Sequence, residues 1–174
     1  MKKVATILIW IILSAAFAWS QPRPRAIDWR PFRFLIGQWV GESADQGQGV
    51  ASFQFDLQDK ILVRRNQADY AGTADRPAFS HQDLLVVYPA PVEGDAFRAI
   101  YFDNEGHVIH YAVTVSADGN QIIFQSETVA GQPRFRLTYG KTGTDEVQVV
   151  FAIAAPGKPD EFVPYQVGMT RRKK

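Results

Sequence analysis

The sequence predicts an all-β fold, a ten-stranded antiparallel up-and-down β-barrel. Three observations predict it. Short runs rich in Val, Ile, Phe, Tyr and Thr recur between turn signals. Beyond residue 37 no long window carries the 3.6-residue apolar period and caps of a helix. The links between runs are short, which forces neighbouring strands to run antiparallel.

In chain order, the first segment is read as an export signal. Lys2 and Lys3 give it a positive start, and the 15 residues from Val4 to Ala18 are apolar apart from Thr6 and Ser14. Ala16-Phe17-Ala18 places small residues where a signal peptidase reads them, with Ala18-Trp19-Ser20 as an alternative. A spanning helix needs about 20 apolar residues, and here Ser20, Gln21 and two prolines intervene first. Residues 1–20 are therefore expected to be cleaved, leaving no membrane anchor and a periplasmic or secreted chain. The sequence contains no Cys, so neither a lipoprotein anchor nor a disulfide scaffold is available.

Residues 21–31 are rich in Pro and Arg and read as an extended lead-in. A single barrel domain is expected over 32–172. It opens on an apolar stretch, Phe32 to Ile36, expected to form one helical turn. The ten strands are expected at 38–43, 49–57, 60–70, 79–88, 96–103, 107–116, 121–128, 134–141, 146–154 and 162–172. Asp103-Asn104-Glu105-Gly106 suits a type I turn closed by a left-handed Gly. Asp118-Gly119 is a strong hairpin signal. Gly131, Gly143 and Gly157 punctuate the later links. Ten sequential strands in an open sheet would leave two edges; closure satisfies both.

Removing Lys2 and Lys3 from the 19 basic residues leaves 17 against 18 acidic ones, a net charge of −1. A nucleic-acid partner would need a concentrated basic face, so none is expected. The sequence does not fix the oligomeric state.

If Gly106 makes a one-residue bulge, Asp103 pairs with His107, and positions summing to 210 face each other. One face then carries Phe97, Ala99, Tyr101, Ile109, Tyr111, Val113 and Val115, an apolar surface with two phenols, suited to a ligand-binding lumen or to core packing. The third expected strand has an unusual polar load. Leu62, Arg64, Asn66, Ala68 and Tyr70 share one face, and Ile61, Val63, Arg65 and Gln67 the other. One of Arg64 and Arg65 must point inward, and an inward guanidinium needs an anion from the protein or from a ligand. Ligand-contacting candidates are thus Arg64, Arg65, Asn66, Tyr70, Tyr101 and Tyr111.

Other chemistry is sparse. His107 and His110 are three apart on a strand and point to opposite faces. His81 and Asp83 are two apart and share a face, but two ligands do not make a closed metal site. No nucleophile elbow or phosphate loop appears. No catalytic residue, metal or cofactor is therefore assigned. The enzyme alternative rests on His81, Asp83, Tyr101 and His110 meeting in one cavity. A third alternative is a structural or interaction barrel with a packed interior.

The segment Phe34-Leu35-Ile36-Gly37-Gln38-Trp39-Val40-Gly41-Glu42 resembles the Gly-x-Trp start of the calycin superfamily, the lipocalins and fatty-acid-binding-protein-like barrels. It looks closest to small lipocalin-like domains that open on Leu-x-Gly-x-Trp-x-Gly. The resemblance implies that Trp39 lies across the closed end and that an Arg of the last strand, Arg171 or Arg172, packs on it. Gly37, Trp39 and Arg171 are the structural candidates. The same start is similar to that of nitrobindin-type haem barrels, which use a His near the C-terminus. Here no His follows His110, so haem is not expected. The function implied is the binding of a small apolar or amphipathic molecule, possible anionic head included, inside the barrel.

Overall fold

The computed structural model describes residues 27–43, 47–90 and 97–174. The expected export signal and most of the lead-in lie outside these residues. A short 3₁₀ turn, Arg30–Leu35, precedes ten strands: β1 Gly37–Ser43, β2 Gly47–Asp56, β3 Ile61–Tyr70, β4 Phe79–Pro89, β5 Phe97–Asp103, β6 Val108–Val115, β7 Gln121–Ser126, β8 Arg134–Lys141, β9 Glu146–Ala154 and β10 Val163–Arg172. Each strand pairs antiparallel with the next, and β1 closes the barrel by pairing with β10. The closing ladder is short, Trp39–Gly41 against Thr170–Arg172, yet it joins the two end strands and so shortens the free edge open to edge-to-edge association.

Register follows the turns. Gly106 takes φ +94°, a left-handed conformation that Gly enters without Cβ strain. The hairpin it closes pairs Phe97 with Val113, Ala99 with Tyr111 and Tyr101 with Ile109, as the one-residue bulge requires. The face carrying the two phenols is the inner one, and Phe97, Ala99, Tyr111 and Val113 are all buried.

One end of the barrel is plugged. Pro31 sits in the first turn of the 3₁₀ segment, where its fixed φ suits a helical start. The turn drives Phe32 and Leu35 into the barrel floor, where both are fully buried. Trp29 and Phe32 each lie 4.8 Å from the Phe97 ring, measured between centroids. Burying a Phe or Leu side chain contributes about 1.5–3 kcal/mol, so the plug is a main anchor of the fold. The Trp29 indole donates to the Asp59 carbonyl at 2.8 Å, tying the plug to the β2–β3 turn.

Trp39 crosses the same end. Its indole donates to the Leu35 carbonyl at 2.6 Å, and a guanidinium lies 4.5 Å above its ring. That guanidinium belongs to Arg172, and Arg171 points outward to pair with Glu146 at 3.1 Å. The expectation placed on Arg171 is corrected by strand alternation: only every second residue of β10 faces in. Arg172 also donates to the carbonyls of Phe34 and Ile36. Gly37 completes the arrangement, because a Cβ there would sit 2.6 Å from Arg172 Nη1, at a φ of +126°.

Candidate functional site

Above the plug the barrel is hollow. A cavity of about 970 Å³ runs from Leu35 and Trp39 to the rim at Tyr70 and Glu105. This volume lies at the upper end of the range for small-molecule pockets, and it excludes an interior packed solid. The space exists because β1, β2, β3 and β10 present Gly41, Gly49, Ala51, Ala68 and Gly168 to it. The far wall carries larger apolar rings, Phe135 and Phe151, stacked at 6.0 Å, beside Tyr111 and Tyr139.

Arg64 is the inward arginine of β3. It is 6% exposed, whereas Arg65 is exposed on the outer surface. Alternation along the strand puts Arg65 outside, which removes it from the lumen-facing candidates. The anion that Arg64 requires is supplied by the protein. Asp83, inward on β4, takes the guanidinium as a buried ion pair, and the Tyr139 hydroxyl bonds its other amino group. Asn66 donates to the second oxygen of Asp83 at 2.8 Å. Burial alone would raise the Asp83 pKa, but the charge of Arg64 and hydrogen bonds from His81, Arg64 and Asn66 hold it below the usual carboxylate range. Burial likewise opposes the charge on Arg64, and Tyr139 and Asp83 outweigh it.

The network continues toward the rim. His81 Nε2 lies 3.4 Å from Asp83 Oδ2 and 3.2 Å from the Tyr101 hydroxyl. Its Nδ1 lies 2.9 Å from Glu105 Oε1. Hydrogen bonding to Asp83, with a further contribution from Glu105, raises the His81 pKa to about 9. Tyr101 also donates to Asp103 Oδ2 at 3.3 Å, and His107 Nδ1 meets that oxygen at 2.8 Å. The phenols of Tyr101, Tyr111 and Tyr139 are pushed up by burial and stay protonated. Tyr70 stands at the rim, stacked on Phe79 at 4.5 Å, with the Arg76 guanidinium 4.4 Å from the other ring.

Of the ligand-contacting candidates, Arg64, Asn66, Tyr70, Tyr101 and Tyr111 therefore share the cavity, and Arg65 does not. Of the enzyme set, His81, Asp83 and Tyr101 meet, but His110 is exposed on the outer face opposite Ile100. The set is thus split between the two faces of the sheet. His81 and Asp83 are no loose surface pair, because Asp83 is 8% exposed. Sequence reasoning passed over Tyr139 as the partner of Arg64, and over Asp103, Glu105 and His107 as wall groups. The hairpin register contained the signal for Asp103 and His107: if Tyr101 faces in, so does Asp103, and its partner His107 follows.

The chain matches no protein-family model, and no curated protein matches it.

Proposed function

We propose that the chain is an exported, calycin-like carrier that binds a small, largely apolar or amphipathic molecule inside its barrel. The cavity of about 970 Å³ carries this reading. Its small-residue wall and its aromatic wall suit a flat or elongated apolar body. The polar wall suits a neutral head that exchanges hydrogen bonds. Tyr111, 2% exposed, lines the cavity, and its hydroxyl makes no hydrogen bond among the described residues. An anionic head is the weaker match, because Arg64 is already neutralised by Asp83. Residues 1–20 supply the export signal, and the Gly37 and Trp39 start supports the calycin assignment.

The test is native mass spectrometry of the chain purified from its own host, followed by solvent extraction and titration with a neutral fluorescent probe such as 1-aminoanthracene. A co-purifying small molecule, and saturable probe binding that it competes away, are expected. A chain that emerges empty and takes up no probe overturns the reading.

A further inference from the structure

We propose that the rim of the barrel holds a divalent transition-metal ion of the zinc class, bound by His81, Asp103 and Glu105. One donor atom from each of these residues lies within 4.8 Å of the other two. Zinc-class ions hold nitrogen and oxygen donors about 2.0–2.2 Å away, so donors around one ion stand about 3–4 Å apart. The His81 Nδ1 to Glu105 Oε1 separation of 2.9 Å, a hydrogen bond, is only slightly shorter than this. The remaining closure is within reach of Glu105, whose side chain is 51% exposed. One imidazole and two carboxylates form a donor set for a borderline ion, and its charge is opposite to theirs.

The stronger argument is the shell behind the donors. A metal-bound His usually offers its second ring nitrogen to a carboxylate, which fixes the ring. The His81 ring is placed this way: Nδ1 faces Glu105, and Nε2 lies 3.2 Å from the Tyr101 hydroxyl and 3.4 Å from the Asp83 carboxylate. Asp83 is itself held by Arg64 and Asn66. Asp103 is oriented by its own turn, its Oδ1 accepting from the backbone N–H groups of Glu105 at 3.0 Å and His107 at 2.9 Å. Its Oδ2 receives Tyr101 and His107. Two donors are thus aimed by outer partners before any ion arrives. All three residues line the cavity, so three protein ligands leave a coordination position for water or for a polar group of a molecule in the lumen.

Sequence spacing alone gave two same-face ligands, His81 and Asp83. The fold replaces the second with two from the next hairpin and assigns Asp83 to the outer shell. The site does not depend on the lumen carrying an apolar molecule.

The test is calorimetric titration of the untagged, chelator-treated full chain with Zn²⁺, with visible absorption of Co²⁺ as a second readout. One equivalent per chain is expected, with imidazole and carboxylate ligation in the Co²⁺ spectrum. Glu105→Ala, an exposed position, and His81→Ala are each expected to weaken binding at least tenfold. Asp83→Asn is expected to weaken it by roughly 10–100-fold as an outer-shell change. Circular dichroism shows whether each variant is folded, and Glu105→Ala alone decides if the others are not. No binding to the parent chain, or unchanged affinity in Glu105→Ala, overturns the proposal.

Discussion

Arg64 and Asp83 meet inside the barrel from adjacent strands, their side chains 7% and 3% exposed. They are not directly opposite: Arg64 pairs across the sheet with Leu85 and Asp83 with Asn66. The ion pair is therefore a diagonal on the inner face, with Tyr139 bonding the second amino group of Arg64 and Asn66 the second oxygen of Asp83, while the buried Arg64 Nε has no hydrogen-bond partner among the described residues. Removing one member of a buried pair leaves an uncompensated charge and costs about 3–5 kcal/mol. Asp83→Ala is expected to lose that much in urea unfolding. A joint Arg64→Met, Asp83→Leu replacement is expected to recover most of the loss, since paired removal is often near neutral. If the double variant is as unstable as the single one, the pair is contributing more than mutual neutralisation.

Arg172 and Arg171 are neighbours with opposite fates. Arg172→Ala gives up a cation–π contact and hydrogen bonds to two plug carbonyls. A loss of about 2 kcal/mol is expected from those contributions together. Arg171→Ala removes a surface pair whose Arg side chain is 80% exposed and is expected to change stability by under about 0.5 kcal/mol. Thermal unfolding of the two variants side by side separates them. Equal effects would contradict the stacking arrangement.

Gly168 faces the cavity, and a Cβ there would meet nothing within 4 Å. Its φ lies outside the left-handed region, so a side chain meets no backbone strain. Gly168→Phe is expected to fold normally, to fill part of the lumen and to abolish uptake of a neutral fluorescent probe. Unaltered probe affinity in a folded Gly168→Phe chain would place the binding elsewhere.

The β2–β3 turn holds three consecutive non-glycine residues at positive φ: Leu57 at 50°, Gln58 at 57° and Asp59 at 60°. Left-handed backbone costs an ordinary L-residue about 1–2 kcal/mol. Gln58→Gly is expected to raise stability by about 0.5–1 kcal/mol, after allowing for the greater freedom Gly gains on unfolding. A lower melting temperature for this variant would mean that the Gln58 side chain supports the turn.

The barrel was legible because its signals are local. Alternating runs and turn residues such as Gly106 set strand bounds and one hairpin register without any long-range knowledge. The plug was half legible: Phe32 to Ile36 read as a helical turn, where the observed turn is Arg30–Leu35, and the resemblance marked Trp39 as a closing residue. The choice between Arg171 and Arg172, and between Arg64 and Arg65, was not. Both depend on which parity of a strand faces the lumen, and strands with mixed faces hide that. The candidate site was harder again. Asp83 reaches Arg64 from β4, and Tyr139 reaches it from β8, 75 positions along the chain. Barrel closure alone brings such residues together.

The last prediction concerns His81 in chelator-treated protein. Its ring is held between the carboxylates of Asp83 and Glu105, with the Tyr101 hydroxyl beside Nε2, Asp103 beyond Tyr101, and the positive Arg64 behind Asp83. The two carboxylates outweigh burial and raise its pKa from 6.5 to about 9. A raised folded-state pKa means that the native state holds its proton more tightly than the unfolded chain does. The stabilisation is therefore complete below pH 6.5 and fades as pH rises through about 9. One proton gives a limiting slope of about 1.4 kcal/mol per pH unit across that window. Urea unfolding at a series of pH values is expected to show the fall, and His81→Gln is expected to flatten it. The imidazole resonances of His81 should titrate near pH 9 by NMR. A midpoint near 6.5 would show that the ring is not engaged by Asp83 and Glu105 in solution.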